Sequence, residues 1–342
     1  MLVRLFALGT IAALFGCAQT GSSVPAAPQG MARTLSGVSP ARNPTLKLFF
    51  TPTAASWPDY IVSGPERSMW FSEFYQDKIG RVTMRGKMTE FALPGNTDIE
   101  GIAAGADGNI WFTAPGANQI GRMTPAGSVT TFAIPAYNPD PRGITRGPDG
   151  NVWYVEFYDG YIGRVTPQGV ITRFQIPNVN SSPWAITTGP DGNLWFTESQ
   201  NGRIGRFNPA TEQFESSLVV PTQDATPWGI ISAPDKHIWF TERTGDKIAE
   251  VTSKGKIREF PIAQPGSYPE TLAPGADGKL WFTEMQASNV GSIDPKTGAF
   301  GSLITLSSGS IPIGVAEGPN GNVWFCISSY HNPMQIGELV VR

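Results

Sequence analysis

Seven positions, Asp59, Glu100, Arg142, Trp184, Trp228, Glu270 and Ile313, recur at intervals of 41 to 44 residues, each 11 before a tryptophan. Their types differ while the residues around them repeat. A ligand site needs different chemistry from each repeat, whereas a structural position keeps one type. Trp184 and Trp228 supply aromatic faces for a wall, and Arg142 supplies a planar donor for a carboxylate or phosphate. Asp59, Glu100 and Glu270 supply carboxylates, the hard oxygen donors that hold magnesium or calcium. For proton transfer the candidates are Glu270 and His331, histidine being the side chain that titrates near neutral pH. The plainer use of the same residues is to fill an axial hole and bind nothing.

The tryptophans that mark the period are Trp70, Trp111, Trp153, Trp195, Trp239, Trp281 and Trp324. Each repeat reads as a strand such as "GITRG", a turn "PDGN", a strand "VWYVE", a loop, a strand "IGRVT", a turn "PQG" and a strand "ITRFQIP". Four short strands per repeat, seven times over, predict an all-β seven-bladed β-propeller across residues 44–342. The strands of a blade are named A to D from the axis outward. Asp-Gly and Asn-Gly pairs, at Asp107-Gly108 and its equivalents, predict two-residue A-to-B hairpins with positive φ. The tryptophans are expected in the core between blades. The last repeat ends after its third strand, while residues 45–52 match the strand D pattern, so this first strand is expected to complete the last blade and remove an open edge.

This architecture puts the seven variable residues at the start of strand A, around the mouth of the axial channel on the face termed the top. Six of them follow a proline. The D-to-A and B-to-C loops share that face, with Tyr137, Asp140, Asn178, Asn180 and Tyr268 among their residues and His331 in the long B-to-C loop of blade seven. The repeated glutamates Glu73, Glu156, Glu198, Glu242 and Glu284, and the arginines of "IGR", read as scaffold.

Residues 1–17 read as a signal peptide: Arg4, a short apolar run, and "LFGC", in which Cys17 is the candidate lipidation site of a lipobox. Residues 18–43, rich in Ser, Pro, Ala and Gly, read as a flexible linker. The chain is therefore expected to be an exported monomer, either a cell-envelope lipoprotein touching the membrane only through its anchor or a secreted protein. A net charge of -3 with no block of Lys or Arg argues against nucleic acid as a partner.

With "PDGNLWFTE", "RIGRFNP" and "ITRFQIP" as its repeat, the chain resembles the virginiamycin B lyase (streptogramin B lyase) family over about residues 45 to 342. That resemblance implies a seven-bladed propeller whose type enzyme opens a cyclic depsipeptide by elimination, with magnesium and a histidine base. It places the family histidines at Glu270 and Ile313, and the metal-binding glutamates at Ile311 and Ser328, so none of the four is retained. The expected function is then binding of a small or peptide-like ligand at the mouth by Asp59, Glu100, Arg142, Trp184, Trp228 and Glu270, without the lyase chemistry. The alternatives are a divergent metal-dependent lyase or a hydrolase resembling the lactonase propellers, with magnesium or calcium on Asp59, Glu100 and Glu270, and an interaction platform at the cell envelope.

Overall fold

The computed structural model describes residues 44–95, 97–331 and 333–341; the signal segment, Cys17 and the linker lie outside them. Among the described residues, 28 strands form seven four-stranded antiparallel sheets, the blades of a β-propeller. Six blades run in chain order, as in blade one, with strands Pro58–Gly64, Ser68–Glu73, Lys78–Thr83 and Met88–Ala92. The seventh takes Ser310–Glu317, Val323–Ser329 and Gln335–Val340 from the end of the chain and Thr45–Phe50 from its start. In that last pairing Thr45 faces Val340 and Phe50 faces Gln335. Lys47 Nζ meets the buried Glu338 carboxylate at 2.9 Å across the seam.

The repeat tryptophans form the core between blades, with Trp70, Trp153, Trp239, Trp281 and Trp324 wholly buried. Most stack on a strand D phenylalanine, as Trp70 does on Phe91 with centroids 5.6 Å apart. The "IGR" arginines cover the outer faces: Arg81, Arg122, Arg164 and Arg206 stand over Trp70, Trp111, Trp153 and Trp195 at 5.1 to 5.6 Å. The glycine of "IGR" has a packing reason. A Cβ on Gly80 would lie 2.0 Å from the Phe71 ring, so the phenylalanine of "WF" rests directly on backbone.

The A-to-B turns differ from the two-residue hairpins expected from Asp-Gly. Gly108 alone carries positive φ (+75°), and its N–H donates to Gly105 while the Gly105 N–H donates to Asn109. This is a three-residue loop, a turn followed by a left-handed glycine. The aspartate is there for its acceptor oxygens. Asp107 accepts from the Asn109 N–H at 3.2 Å and from Trp111 Nε1 at 3.1 Å, so it closes the turn and caps the buried indole together. Asp149, Asp191, Asp235 and Asp277 do the same for their tryptophans.

Candidate functional site

Six of the seven residues of the variable ring, all but Glu100, are aimed by a local irregularity. In blade three Pro141 pairs with Glu156 and Ile144 with Tyr154, so three residues of strand A span two of strand B. The extra residue makes a bulge that holds Arg142 and Gly143 out of the ladder. The same shift follows Pro58, Pro183, Pro227, Pro269 and Pro312.

In five blades a hydroxyl on strand B ties the start of strand A to the next blade. Thr241 Oγ accepts the Gly229 N–H of its own blade at 2.9 Å and donates to the Glu270 carbonyl of the next at 2.9 Å. Ser72, Thr113, Thr197 and Thr283 donate likewise to the carbonyls of Glu100, Arg142, Trp228 and Ile313. Val155 and Cys326 hold this position in blades three and seven. This tie was not read from sequence, although the recurring Thr of "WFT" was its visible trace.

The ring side chains are packed into one another. One Arg142 Nη pairs with Glu100 and the other with Asp140 at 2.7 Å, while the guanidinium lies 5.0 Å from the Trp184 centroid. Trp184 stacks on Trp228 at 3.6 Å between centroids. The far face of Trp228 is covered by Arg243 at 4.3 Å, and Arg243 Nε meets Glu270 at 2.7 Å. The sequence Glu100, Arg142, Trp184, Trp228, Arg243, Glu270 is thus a continuous run of ion pair, cation–π contact and aromatic stack. Buried charges persist only when paired in this way.

Tyr60 closes the run from across the channel, its hydroxyl accepting from Trp184 Nε1 at 3.1 Å. Burial, then the carboxylates of Glu100, Asp59 and Glu270, push its phenol well above the usual pKa, so it is neutral. Asp59 and Ile313 are buried in the same ring. The ring therefore makes a floor at the channel mouth, with Trp184 and Trp228 showing only their edges, 7% and 9% exposed. Tyr60, Arg243 and Phe157, which meets Trp184 edge-on at 5.5 Å, belong to this floor and were missed from sequence.

Above the floor stand the top-face loops. Among the described residues the exposed tyrosines are Tyr75, Tyr137, Tyr158 and Tyr330, all in D-to-A or B-to-C loops. Trp57, buried, links two of them, 5.4 Å from Tyr75 and 4.9 Å from Tyr330. His331 follows Tyr330 in the same loop and is exposed, its backbone N–H held by Ser329 Oγ at 3.1 Å.

The glutamates that close strand B are buried and differ in partner. Arg173 takes Glu156, Asn178 takes Glu198 and Asn289 takes Glu284. Burial and then a second carboxylate, Glu90 or Glu259, push Glu73 up to about 7 and Glu242 up to about 8. Asp235, His237 and Glu250 are a group of potential ligands whose donor atoms lie within 4.8 Å of one another, at the underside of blade five and away from the ring. There His237 Nδ1 already meets Glu250 at 3.0 Å and Asp235 caps Trp239.

The virginiamycin B lyase family model matches residues 41–218 and 186–338. A streptogramin B lyase structure is 32% identical, covering 89% of this chain and 100% of its own with a TM-score of 0.83. A catalytically inactive histidine-to-alanine variant of virginiamycin B lyase from Staphylococcus aureus, solved with quinupristin, is 31% identical over 87% of this chain and 100% of its own, with a TM-score of 0.81. Kuenenia stuttgartiensis hydrazine synthase, 13% identical over 85% of this chain and 98% of its own with a TM-score of 0.71, shares the fold alone. No curated protein sequence matches. With seven blades, the repeat and the family model agreeing along the chain, this protein belongs to the virginiamycin B lyase family.

Proposed function

We propose that this protein is an exported, lipid-anchored propeller that binds a peptide-like ligand on its top face without opening it. The observation that carries the reading is the separation of floor from rim: Glu100, Arg142, Arg243 and Glu270 of the floor are already paired, while four exposed tyrosines stand on the loops around it. Tyrosine offers apolar area with a polar tip at low entropic cost, and exposed apolar groups gathered on one face mark a binding surface. The S. aureus relative solved with quinupristin supports a peptide-like ligand of that kind.

Elimination requires a base for the α-proton and a cation for the developing charge. At the positions to which the family resemblance assigns these roles, Ile311 and Ile313 have no donor atom, Ser328 Oγ donates to the Pro58 carbonyl at 2.8 Å, and Glu270 pairs with Arg243. These residues do not fit a magnesium ion, which takes oxygen ligands in octahedral geometry. Arg4, the apolar run and Cys17, followed by the Ser- and Pro-rich stretch to residue 43, support export and anchoring. Calorimetric titration with quinupristin tests the binding. Replacing Tyr158 and Tyr330 together with Ala is expected to weaken it at least tenfold, and unchanged affinity would refute the assignment to the rim.

A further inference from the structure

Blades one and five share a device that blade three lacks. Asp77, in the left-handed conformation (φ 48°) just before strand C, accepts from the Thr97 N–H at 2.7 Å, Thr97 Oγ at 2.6 Å and the Asp98 N–H at 3.0 Å. Asp246 (φ 50°) does the same for the Gly266 N–H, Ser267 Oγ and the Tyr268 N–H. A single carboxylate thereby gathers the donors of the D-to-A loop.

The equivalent residue in blade three is Gly160, also left-handed at φ +69°. The loop it faces keeps the same plan: Ser181 stands three before the ring residue Trp184, as Thr97 does before Glu100 and Ser267 before Glu270. A Cβ on Gly160 would point at Ser181 Oγ, 3.2 Å away. Ser181 is completely buried, and its hydroxyl has no hydrogen-bond partner among the described residues. Around it lies a cavity of about 430 Å³ lined by Tyr158, Gly160, Asn180, Ser181 and Ser182. A buried hydroxyl left without a partner is destabilising, and an incoming acceptor relieves that cost. The carboxylate lining this space, Asp159, is paired with Arg173 at 2.8 Å, a guanidinium it shares with Glu156.

We propose that this cavity between blades three and four binds the carboxylate of a small molecule, which takes the place that the Asp77 and Asp246 side chains fill in their own blades. Ser181 Oγ and the loop N–H groups donate to it, and Tyr158 packs against its apolar part. The site shares Tyr158 with the rim of the channel mouth, while Ser181 and Gly160 belong to it alone.

Acetate titrated at constant pH and ionic strength, followed through the amide signals of Ser181 and Ser182, tests the proposal on the full chain. Saturable shifts are expected for the native protein, with at least tenfold weaker binding in Ser181→Ala. Gly160→Asp supplies the carboxylate internally, so it should melt higher and show no response to acetate. Shifts reproduced by chloride, or acetate binding that survives in both variants, would overturn the site.

Discussion

The Trp184 and Trp228 rings stack with centroids 3.6 Å apart and planes 24° from parallel, and an arginine covers the outer face of each. Both indoles are therefore part of the packed interior. Trp228→Ala removes one half of the stack and the support of Arg243, and a cost of about 3 to 5 kcal/mol is expected from the cavity. Denaturant titration reads this directly. A loss below about 1 kcal/mol would mean that the stack is not structural.

The Glu242 carboxyl gives stability a pH dependence of known sign. Its pKa is raised in the folded state to about 8 by burial and by Glu259, above the value of 4.5 taken for the free side chain. The unfolded chain then binds fewer protons than the folded one between these values, so stability falls as pH rises through that window. Glu242→Gln should flatten the slope while Lys247 keeps its partner Glu259 at 2.7 Å. Melting curves from pH 5 to 9 that coincide for the two proteins would contradict the assignment.

Blade three lacks the hydroxyl that ties neighbouring bulges, since Val155 stands where Thr113, Thr197, Thr241 and Thr283 donate. Val155→Thr restores a donor for the Trp184 carbonyl and should add about 0.5 to 1.5 kcal/mol. The reverse change, Thr241→Val, leaves the Glu270 carbonyl without this donor and should cost about 1 to 3 kcal/mol. Equal and small effects of both changes would show that the tie is incidental.

Anchoring through Cys17 predicts that the protein expressed in a bacterial host is recovered in the membrane fraction. Cys17→Ser should release it, and the native mature chain should carry the mass of its lipid on the N-terminal peptide. A soluble native protein cleaved at another residue would sink the anchor.

The strand pattern and the position of the ring were legible in the sequence because both are local: a period-two strand, a turn glycine and a proline each announce themselves within a few residues. The contacts of the ring were not. Arg243 reaches Trp228 from the B-to-C loop, a different position of the repeat, and counting back from each tryptophan does not find it. Tyr60 had a visible sign, since its place in the repeat is held elsewhere by Gly101, Gly143, Ala185, Gly229, Thr271 and Gly314. A Cβ on Gly143 would meet the Trp184 carbonyl at 2.7 Å, which is why this place stays small where blades approach. The dual service of Asp107 as turn former and indole cap was hidden because either role alone accounts for the residue.

The central claim, binding at the top face without ring opening, is tested most directly by incubating the protein with quinupristin and magnesium and measuring the mass and retention of the recovered ligand beside a calorimetric titration. Saturable binding with the cyclic ligand recovered intact is the predicted result. Recovery of a linear, ring-opened product, absent from the Tyr158→Ala, Tyr330→Ala double variant, would contradict the account.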